Sequence, residues 1–464
     1  MFDAIVYQDR RNKLRSLLKE GIIIFQGNNE SPMNYSDNTF RFRQDSTFLY
    51  FFGLSMPGLV GIIDIDNGKD IIFGDDIDIN DIIWMGPQPS IKELAQKVAV
   101  KETYPVAKLS NVVADATKRK RTIHFLPPYR AENILILEKI LEIPSSSIKY
   151  KASVKLIKAV VTMRLIKDSN EIAHLDEIMN IGYKMHITAM KMAKPGVYER
   201  KIAGFIEGMA LSYGGTISFP VILSKHGEIL HNHYYGNKLT TGDLMICDAG
   251  FESDMGYATD NTRVTPVGGK FSQKQKEIYQ IVLDTNNVAV KAIKPEINYS
   301  DVHNLAATVI TEGLKNLGLM KGNTKEAVGA GAHAMFFPHG LGHMMGLDVH
   351  DMENLGEDYV GYDNKTKRSE QFGTSYLRLA RKLQPGFVLT VEPGIYFIPA
   401  LINKWKEERI NTQFINFDAV NKYMNFGGIR LEDDILVTET GNRILGKKRI
   451  PITVNEVEKT VQSK

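Results

Sequence analysis

The spacing of apolar residues divides the chain into two stretches of different character. Over the first 165 residues, short apolar runs predict strands at GIIIF (21–25), STFLYFFGL (46–54), GLVGIIDID (58–66), KDIIFG (69–74) and TIHFLP (122–127). Helical spacing appears near 91–98 and 131–141. Buried strands alternating with helices predict an α/β layer. One run stands apart: GDDIDINDIIWMG (74–86) interleaves acids with Ile. It is expected as an edge strand or surface loop kept soluble by its acids, in preference to a cation site.

The pattern changes at Lys167-Asp168-Ser169-Asn170-Glu171, where an Asp-x-x-Glu helix start precedes Ile172, Leu175, Ile178 and Met179 at helical spacing. Two domains are therefore expected, 1–165 and 166–464. The second should open with helices over 171–193 and 198–212. A third helix should start at the Ser272 capping box and stop before Pro295, and a fourth should run from Ser300 to about Leu317. Strands are expected at 244–250, 256–265, 387–397 and 428–437, with no short-period repeat.

Composition adds little beyond exclusions. At 464 residues the chain exceeds one compact core, and its 43% hydrophobic and 24% charged content is ordinary for a globular protein. The net charge of +3 is spread along the chain, which argues against a nucleic-acid partner. The start carries Asp3, Asp9, Arg10, Arg11, Lys13 and Arg15 and does not read as a signal peptide. No apolar run approaches the roughly 18 to 20 residues of a membrane span, so no membrane partner and a cytoplasmic location are expected. The single cysteine, Cys247, excludes an internal disulfide and is read as a buried strand residue rather than a reactive thiol.

Candidate chemistry begins at MICDAGFESDMGYATDNTRVTP (245–266). A hairpin turning at Asp254 makes positions summing to 508 face each other, and so sets Asp248 directly against Asp260. Carboxylates in that relation repel, a conflict resolved by a shared proton or a cation. Three later segments offer further ligands. FFPHGLGHMMGLDVHD (336–351) carries His339, His343 and His350 on what Pro338, Gly340 and Gly342 make a loop. LTVEPGIYF (389–397) places Glu392 after an apolar strand, and GGIRLEDDILV (427–437) carries Arg430, Glu432, Asp433 and Asp434. Asp433 and Asp434 are read as structural, one of them facing away and solvated.

In order and context these segments resemble the pita-bread metallopeptidases, the family of aminopeptidase P, prolidase and methionine aminopeptidase. The carrying motifs are DAG, D-x-T-R, HGLxH, EPGIY and R-L-E-D, spanning about 160–447, with FRQDSTFLYFFG (42–53) similar to the amino-terminal domain of aminopeptidase P. The resemblance implies an α/β (α+β) protein: a pita-bread catalytic domain behind a smaller creatinase-like α/β domain. It implies metal ligands Asp248, Asp260, His343, Glu392 and Glu432, with Asp260 and Glu432 bridging two cations. A hydroxide between those cations would attack the peptide bond, with Glu392 moving the proton. Oxygen-rich ligation with one imidazole favours Mn²⁺, with Co²⁺ or Zn²⁺ as alternatives.

By the same resemblance His231 steadies the tetrahedral intermediate and His350 lies near the substrate carbonyl. His233 follows His231 by two residues, and on a strand both would face one way. His339 is assigned to the loop or substrate pocket, Arg430 to orienting Glu432 or His350, and Arg378 to clamping a substrate carboxylate. The segment 398–426, with Trp405, is expected as an insertion roofing the site. The expected substrates are small peptides with proline second, and the expected assembly is a homodimer or homotetramer. Aminopeptidase P is the preferred reading, with dipeptide-restricted prolidase as the alternative. A non-enzymatic binding module is the remoter one, opposed by the complete ligand set.

Overall fold

The computed structural model describes residues 1–463. By internal contacts the chain separates into Met1–Arg164 with Met352–Tyr359, and Leu165–Asp351 with Val360 onward.

The first unit is built on a five-stranded sheet in the order β4-β3-β2-β1-β5. Its strands are β1 (Ile22–Gln26), β2 (Val60–Asp64), β3 (Lys69–Phe73), β4 (Glu102–Tyr104) and β5 (Ile123–Phe125). The central strands are antiparallel and the outer two join in parallel. Ile22, Ile24, Ile62, Ile71 and Phe73 turn one face of the sheet onto Leu109, Val113 and Ala116 of the helix Leu109–Lys118. This is the expected α/β layer, with two differences.

The run at 46–54, expected as a strand, is a helix, Ser46–Phe52. Asp45 accepts the Phe48 amide at its start, and Gly53 closes it at φ +64°. This start signal and stop signal, with complete burial on all sides, override the strand preference of the aromatic residues. The acidic run at 74–86 is on the surface as expected but is neither strand nor plain loop. It ends in a short helix, Ile79–Met85, with a capping box between Asp78 and Asp81.

The second unit opens on Ser169–Met192, whose Asp168–Glu171 capping box forms as read, followed by Glu199–Ser212. The pair recurs as Gln273–Ala292, with its Ser272–Gln275 capping box, and Tyr299–Asn316. The turns match too: Lys194-Pro195-Gly196 in one and Lys294-Pro295-Glu296 in the other, with Gly196 at φ +89° and Glu296 at φ +73°. This recurrence, with Lys194-Pro195 matched by Lys294-Pro295, has too long a period for a short-period search to find.

Against the helices lie β6 (Thr216–Ile217), β7 (Ile222–Ser224), β8 (Leu244–Ala249), β9 (Phe251–Glu252) and β10 (Asn261–Pro266). Further along come β11 (Val388–Val391), β12 (Gly394–Tyr396), β13 (Gly428–Arg430), β14 (Asp433–Val437) and β15 (Asn442–Ile444). They pair as β10-β8-β7, β11-β14-β15, β12-β13 and β6-β9. The long strands expected at 387–397 and 428–437 are thus each split in two, at Glu392-Pro393 and at Leu431-Glu432. Residues 231–236 are not a strand, so the alternation argument linking His231 to His233 does not apply there. Trp405, in the helix Pro399–Glu407, is buried against Phe372. No helix among the described residues is long and apolar enough to cross a membrane.

Candidate metal centre

Asp248 lies in β8 opposite Thr262, not Asp260. The hairpin turns at Met255, where the Ser253 amide donates to the Tyr257 carbonyl over 2.9 Å, and the register is two positions from the one expected. Continuing it places Asp260 opposite Gly250, so the two aspartates are diagonal neighbours on one face. Gly250 permits this close approach, since a Cβ there would lie 1.7 Å from the Thr259 carbonyl oxygen. The diagonal offset eases the repulsion that a direct pairing would impose, yet both carboxylates remain buried.

The other two carboxylates come from the split strands. Val391 pairs with Asp433 on one side of the break and Gly394 with Arg430 on the other, in one continuous register. Glu392 and Glu432 therefore occupy the same step. Their backbones do not pair with each other. The Glu392 amide donates to Leu341 over 2.8 Å, and the Glu432 amide to Thr262 over 3.1 Å. Each acceptor belongs to a segment carrying another candidate ligand.

His343 is held along β11: the Thr390 amide donates to its carbonyl over 3.0 Å, and its own amide donates to Thr390 Oγ1 over 3.1 Å. Gly342 allows this contact, because a Cβ there would sit 2.1 Å from the Thr390 carbonyl. His343 Nδ1 donates to the Met344 carbonyl over 3.0 Å, which leaves Nε2 as the free electron pair. That nitrogen lies 3.3 Å from Asp260 Oδ2 and 3.7 Å from Glu392 Oε1.

A second layer of polar contacts fixes these groups. Thr262 Oγ1 donates to Glu432 Oε2 over 2.7 Å and accepts from Arg430 Nε over 3.1 Å. Arg430 also donates to Asp248 Oδ2 and to the Tyr396 hydroxyl. Tyr396 in turn reaches His339 Nε2 over 2.9 Å. Arg430 thus holds Asp248 by a direct ion pair and acts on Glu432, as expected, through Thr262 and through its charge; the ion pair with Asp248 was not anticipated.

Asp433 and Asp434, one of which was expected to be solvated, are both buried. Asp433 pairs with Arg263 and Arg449, and Asp434 accepts the backbone amide of Asp260 over 3.0 Å. Two consecutive strand residues stay buried because each face of β14 supplies its own polar partner. Thr262, Arg263 and Tyr396 were not singled out from sequence. Thr262 and Arg263 lie inside the D-x-T-R motif, which was the available signal.

Burial pushes the carboxyl of Asp260 well above the usual range, and the charges of Asp248, Asp434 and Glu392 push it the same way. Glu432 is raised by burial and then by Asp260, Glu392 and Asp248. Glu392 is raised by burial, partly offset by His343 and Arg430. His339 is depressed to about 3 by burial and by Arg430, so it is neutral, and burial lifts Tyr396 to about 12. A site of this kind favours added positive charge.

The other sequence-selected groups surround the carboxylates. The His350 ring stacks on His343 with centroids 3.9 Å apart at 26°. His231 lies on a turn with its residue surface open, while its ring is partly desolvated; that desolvation and the charge of Arg430 lower its pKa, and it feels the charges of Asp248 and His350. Arg378 acts electrostatically on both Glu392 and His339. The side chain of Glu392 is 18% exposed, against 9% for Asp248, 7% for Asp260 and 4% for His343. It is therefore the carboxylate best reached from outside.

Comparison with known proteins follows the same division. Residues 7–124 match the aminopeptidase P N-terminal domain, and residues 173–439 match metallopeptidase family M24. The chain is 32% identical over 460 residues to the human Xaa-Pro dipeptidase, covering 97% of this chain and 90% of that protein. It is 31% identical over 448 residues to a fungal protein named "Probable Xaa-Pro aminopeptidase" from Fusarium vanettenii, covering 96% and 92%. Among solved structures, Pseudomonas aeruginosa aminopeptidase PepP superposes with a TM-score of 0.82 at 26% identity, covering 99% of this chain and 98% of that one. Zn-substituted Escherichia coli aminopeptidase P in complex with product gives 0.81 at 28%, with the same coverage. With both the sequence match and the fold in agreement, this chain belongs to metallopeptidase family M24.

Proposed function

We propose that this protein is an Xaa-Pro aminopeptidase, releasing the first residue from peptides with proline second. In this reading Asp248, Asp260, His343, Glu392 and Glu432 hold two divalent cations, and the catalytic domain comprises residues 166–464 behind an amino-terminal domain of 1–165. The observation that carries it is the meeting of Asp260, His343 and Glu432, whose ligand atoms all lie within 4.8 Å of one another.

The donor set fits such ions. Asp248 Oδ1 and Asp260 Oδ1 are enclosed without a hydrogen-bond donor, and the carboxyls of Asp260, Glu392 and Glu432 resist ionisation together. Oxygen-dominated ligation with one imidazole supports Mn²⁺, with Co²⁺ or Zn²⁺ able to substitute. Divalent cations held there would lower the pKa of an attacking water and draw charge from the scissile carbonyl.

The chain's own groups do the rest. Glu392, raised in pKa and open to the outside, takes the proton from the attacking water and delivers it to the leaving proline nitrogen. His350 and His231 offer N–H groups to the oxygen on which charge develops. Thr262 holds Glu432 in one orientation, and Arg430 holds Asp248. His339, kept neutral and fixed by Tyr396, lines the pocket.

A second reading, a dipeptide-restricted enzyme, is favoured by Arg378, whose guanidinium suits a substrate's free carboxylate. A side-by-side assay with Mn²⁺ separates the two. Cleavage of an Xaa-Pro-Xaa tripeptide supports the aminopeptidase, and cleavage confined to the Xaa-Pro dipeptide replaces it with the alternative. The reading also includes a homodimer or homotetramer in the cytoplasm. Exposed Ile79, Ile83 and Trp84, at 67%, 70% and 86%, support self-association, and the lone buried Cys247 suits a reducing compartment.

A further inference from the structure

One residue before the Asp168 helix cap, the chain places a lysine where solvent cannot reach it. The side chains of Lys167 and Asp351 are each 1% exposed, and Nζ lies 2.8 Å from Oδ2. A buried pair of this kind is costly to desolvate, and hydrophobic residues of similar volume often stabilise a fold as well or better. Its position shows what it does beyond stability.

Asp351 directly follows His350 and closes the loop that begins after His343. Its amide donates to the Met344 carbonyl over 2.9 Å, so the two ends of the loop meet. Within the loop, the Gly346 carbonyl accepts the amide of Ala258, two residues before Asp260, over 2.8 Å. The Met345 amide donates to Val388 in β11 over 3.0 Å. The Lys167 backbone is tied to the same region, its amide donating to Gly386 over 2.9 Å.

The ammonium and the loop are fitted to each other. A Cβ on Gly346 would stand 2.6 Å from Lys167 Cε and 3.0 Å from Asp351 Oδ2. Any larger residue there would part the pair. At the open side of this closed loop, His350 lies on His343 with ring centroids 3.9 Å apart. Two imidazoles on one short loop keep that spacing only if both ends of the loop are fixed. His343 is fixed by Thr390, and His350 is joined directly to Asp351, whose amide and carboxylate are both held.

We propose that Lys167 is a positioning residue for peptide-bond hydrolysis: through Asp351 it anchors the loop end that holds His350 against His343. This rests on the reading above in which His350 serves the substrate carbonyl. Lys167 touches neither substrate nor reacting atoms. Its effect falls on turnover, because His350 acts on charge that develops in the transition state.

The test is a double-mutant cycle with an added spectroscopic readout. In the wild-type background, Lys167→Met lowers kcat by about 10- to 100-fold, the range for groups that orient active-site ligands, with KM little changed. In a His350→Ala background the same substitution costs kcat less than about 2-fold, because the group it positions is gone. Lys167→Arg recovers most of the activity. Equal losses in both backgrounds overturn the proposal.

Stability is separated from position by Lys167→Met/Asp351→Leu, which removes the pair without leaving a buried charge. It regains stability while kcat stays low, whereas recovery of kcat with stability shows a merely structural pair. Asp351→Asn provides the same comparison should Lys167→Met fail to fold. Independently of activity, the ring-current shift of His350 is read by NMR on the full chain loaded with diamagnetic Zn²⁺. Loss of that shift in Lys167→Met or Asp351→Asn supports the proposal, and retention contradicts it. Should the wild type cleave no Xaa-Pro peptide, the proposed function fails, and this shift still decides whether Lys167 positions His350.

Discussion

Glu392 and Glu432 face each other at the step where β11 and β14 give way to β12 and β13. Both are set by one register, with Val391 against Asp433 before the break and Gly394 against Arg430 after it. At that step each backbone leaves its partner strand and bonds to a different segment, Glu392 to Leu341 and Glu432 to Thr262. The break does two things at once. It turns two carboxylates to one side, and it ties the His343 loop and the Asp260 hairpin to the same point.

The hydroxyl of Thr262 is the most economical place to perturb this centre. It donates to Glu432 and accepts from Arg430, both buried. Thr262→Val keeps the shape and leaves two polar groups without a partner, a destabilisation of about 1–3 kcal/mol. Metal affinity or turnover should drop about 10- to 100-fold, and Thr262→Ser should restore both. Metal titration and a denaturation curve on the same samples check this.

Metal-free protein should show an unusual dependence on pH. Asp260, Glu392 and Glu432 all have folded-state pKa values raised above those of the unfolded chain. Their contribution is fully present below the unfolded pKa of about 4 and is lost as pH rises through the folded values. In the metal-free chain this contribution favours mildly acidic over neutral pH, opposing the buried neutral histidines such as His339, which favour neutral pH, and saturating Mn²⁺ should remove the carboxylate contribution. Urea midpoints across this range, with and without Mn²⁺, measure it. The same repulsion should loosen the hairpin on metal removal, seen as faster amide exchange near Asp248 and Asp260.

Asp433 behaves in the opposite sense. Burial raises its pKa, but the charges of Arg263 and Arg449 outweigh burial and leave it below the usual carboxylate range. Its stabilisation is present above about pH 4 and lost as pH falls through its folded value. Asp433→Leu strands two arginines and should cost about 3–5 kcal/mol at neutral pH, visible as a lower urea midpoint. The mutational loss should shrink below about pH 4.

Under the proposed function, Arg378 is the residue expected to separate long from short substrates. A guanidinium within electrostatic reach of Glu392 and His339 is placed to meet a carboxylate at the end of a dipeptide. Arg378→Ala should raise KM for an Xaa-Pro dipeptide by about 10-fold or more, the equivalent of a charge-assisted hydrogen bond. Tripeptide KM should change little. Equal changes for both substrates would remove Arg378 from a terminal-carboxylate role.

Much of the site was legible because ligand chemistry is tied to local grammar. The His loop was marked by Pro338, Gly340 and Gly342, and the helix starts by Asp168–Glu171 and Ser272–Gln275, both of which form. What failed depended on tertiary context. The hairpin register moved by two because the turn is set around Gly256, at φ +84°, and Gly250 admits a close carbonyl, neither visible as periodicity. STFLYFF became a helix through caps that its aromatic content hid. Asp433 and Asp434 were read as structural with one of them solvated, because their partners, Arg263, Arg449 and the Asp260 amide, lie on other segments of the chain.

The central claim is that Asp260 and Glu432 share cations that make the chain a peptidase. The most direct measurement pairs metal content with hydrolysis of an Xaa-Pro tripeptide in wild-type protein, Asp260→Asn and Glu432→Gln. Wild-type protein should bind two Mn²⁺ per chain and turn over, while each variant should lose bound metal and at least about 100-fold in kcat/KM, more than a supporting residue costs. Turnover in either variant at the wild-type rate, or in metal-stripped wild-type chain, would contradict the account.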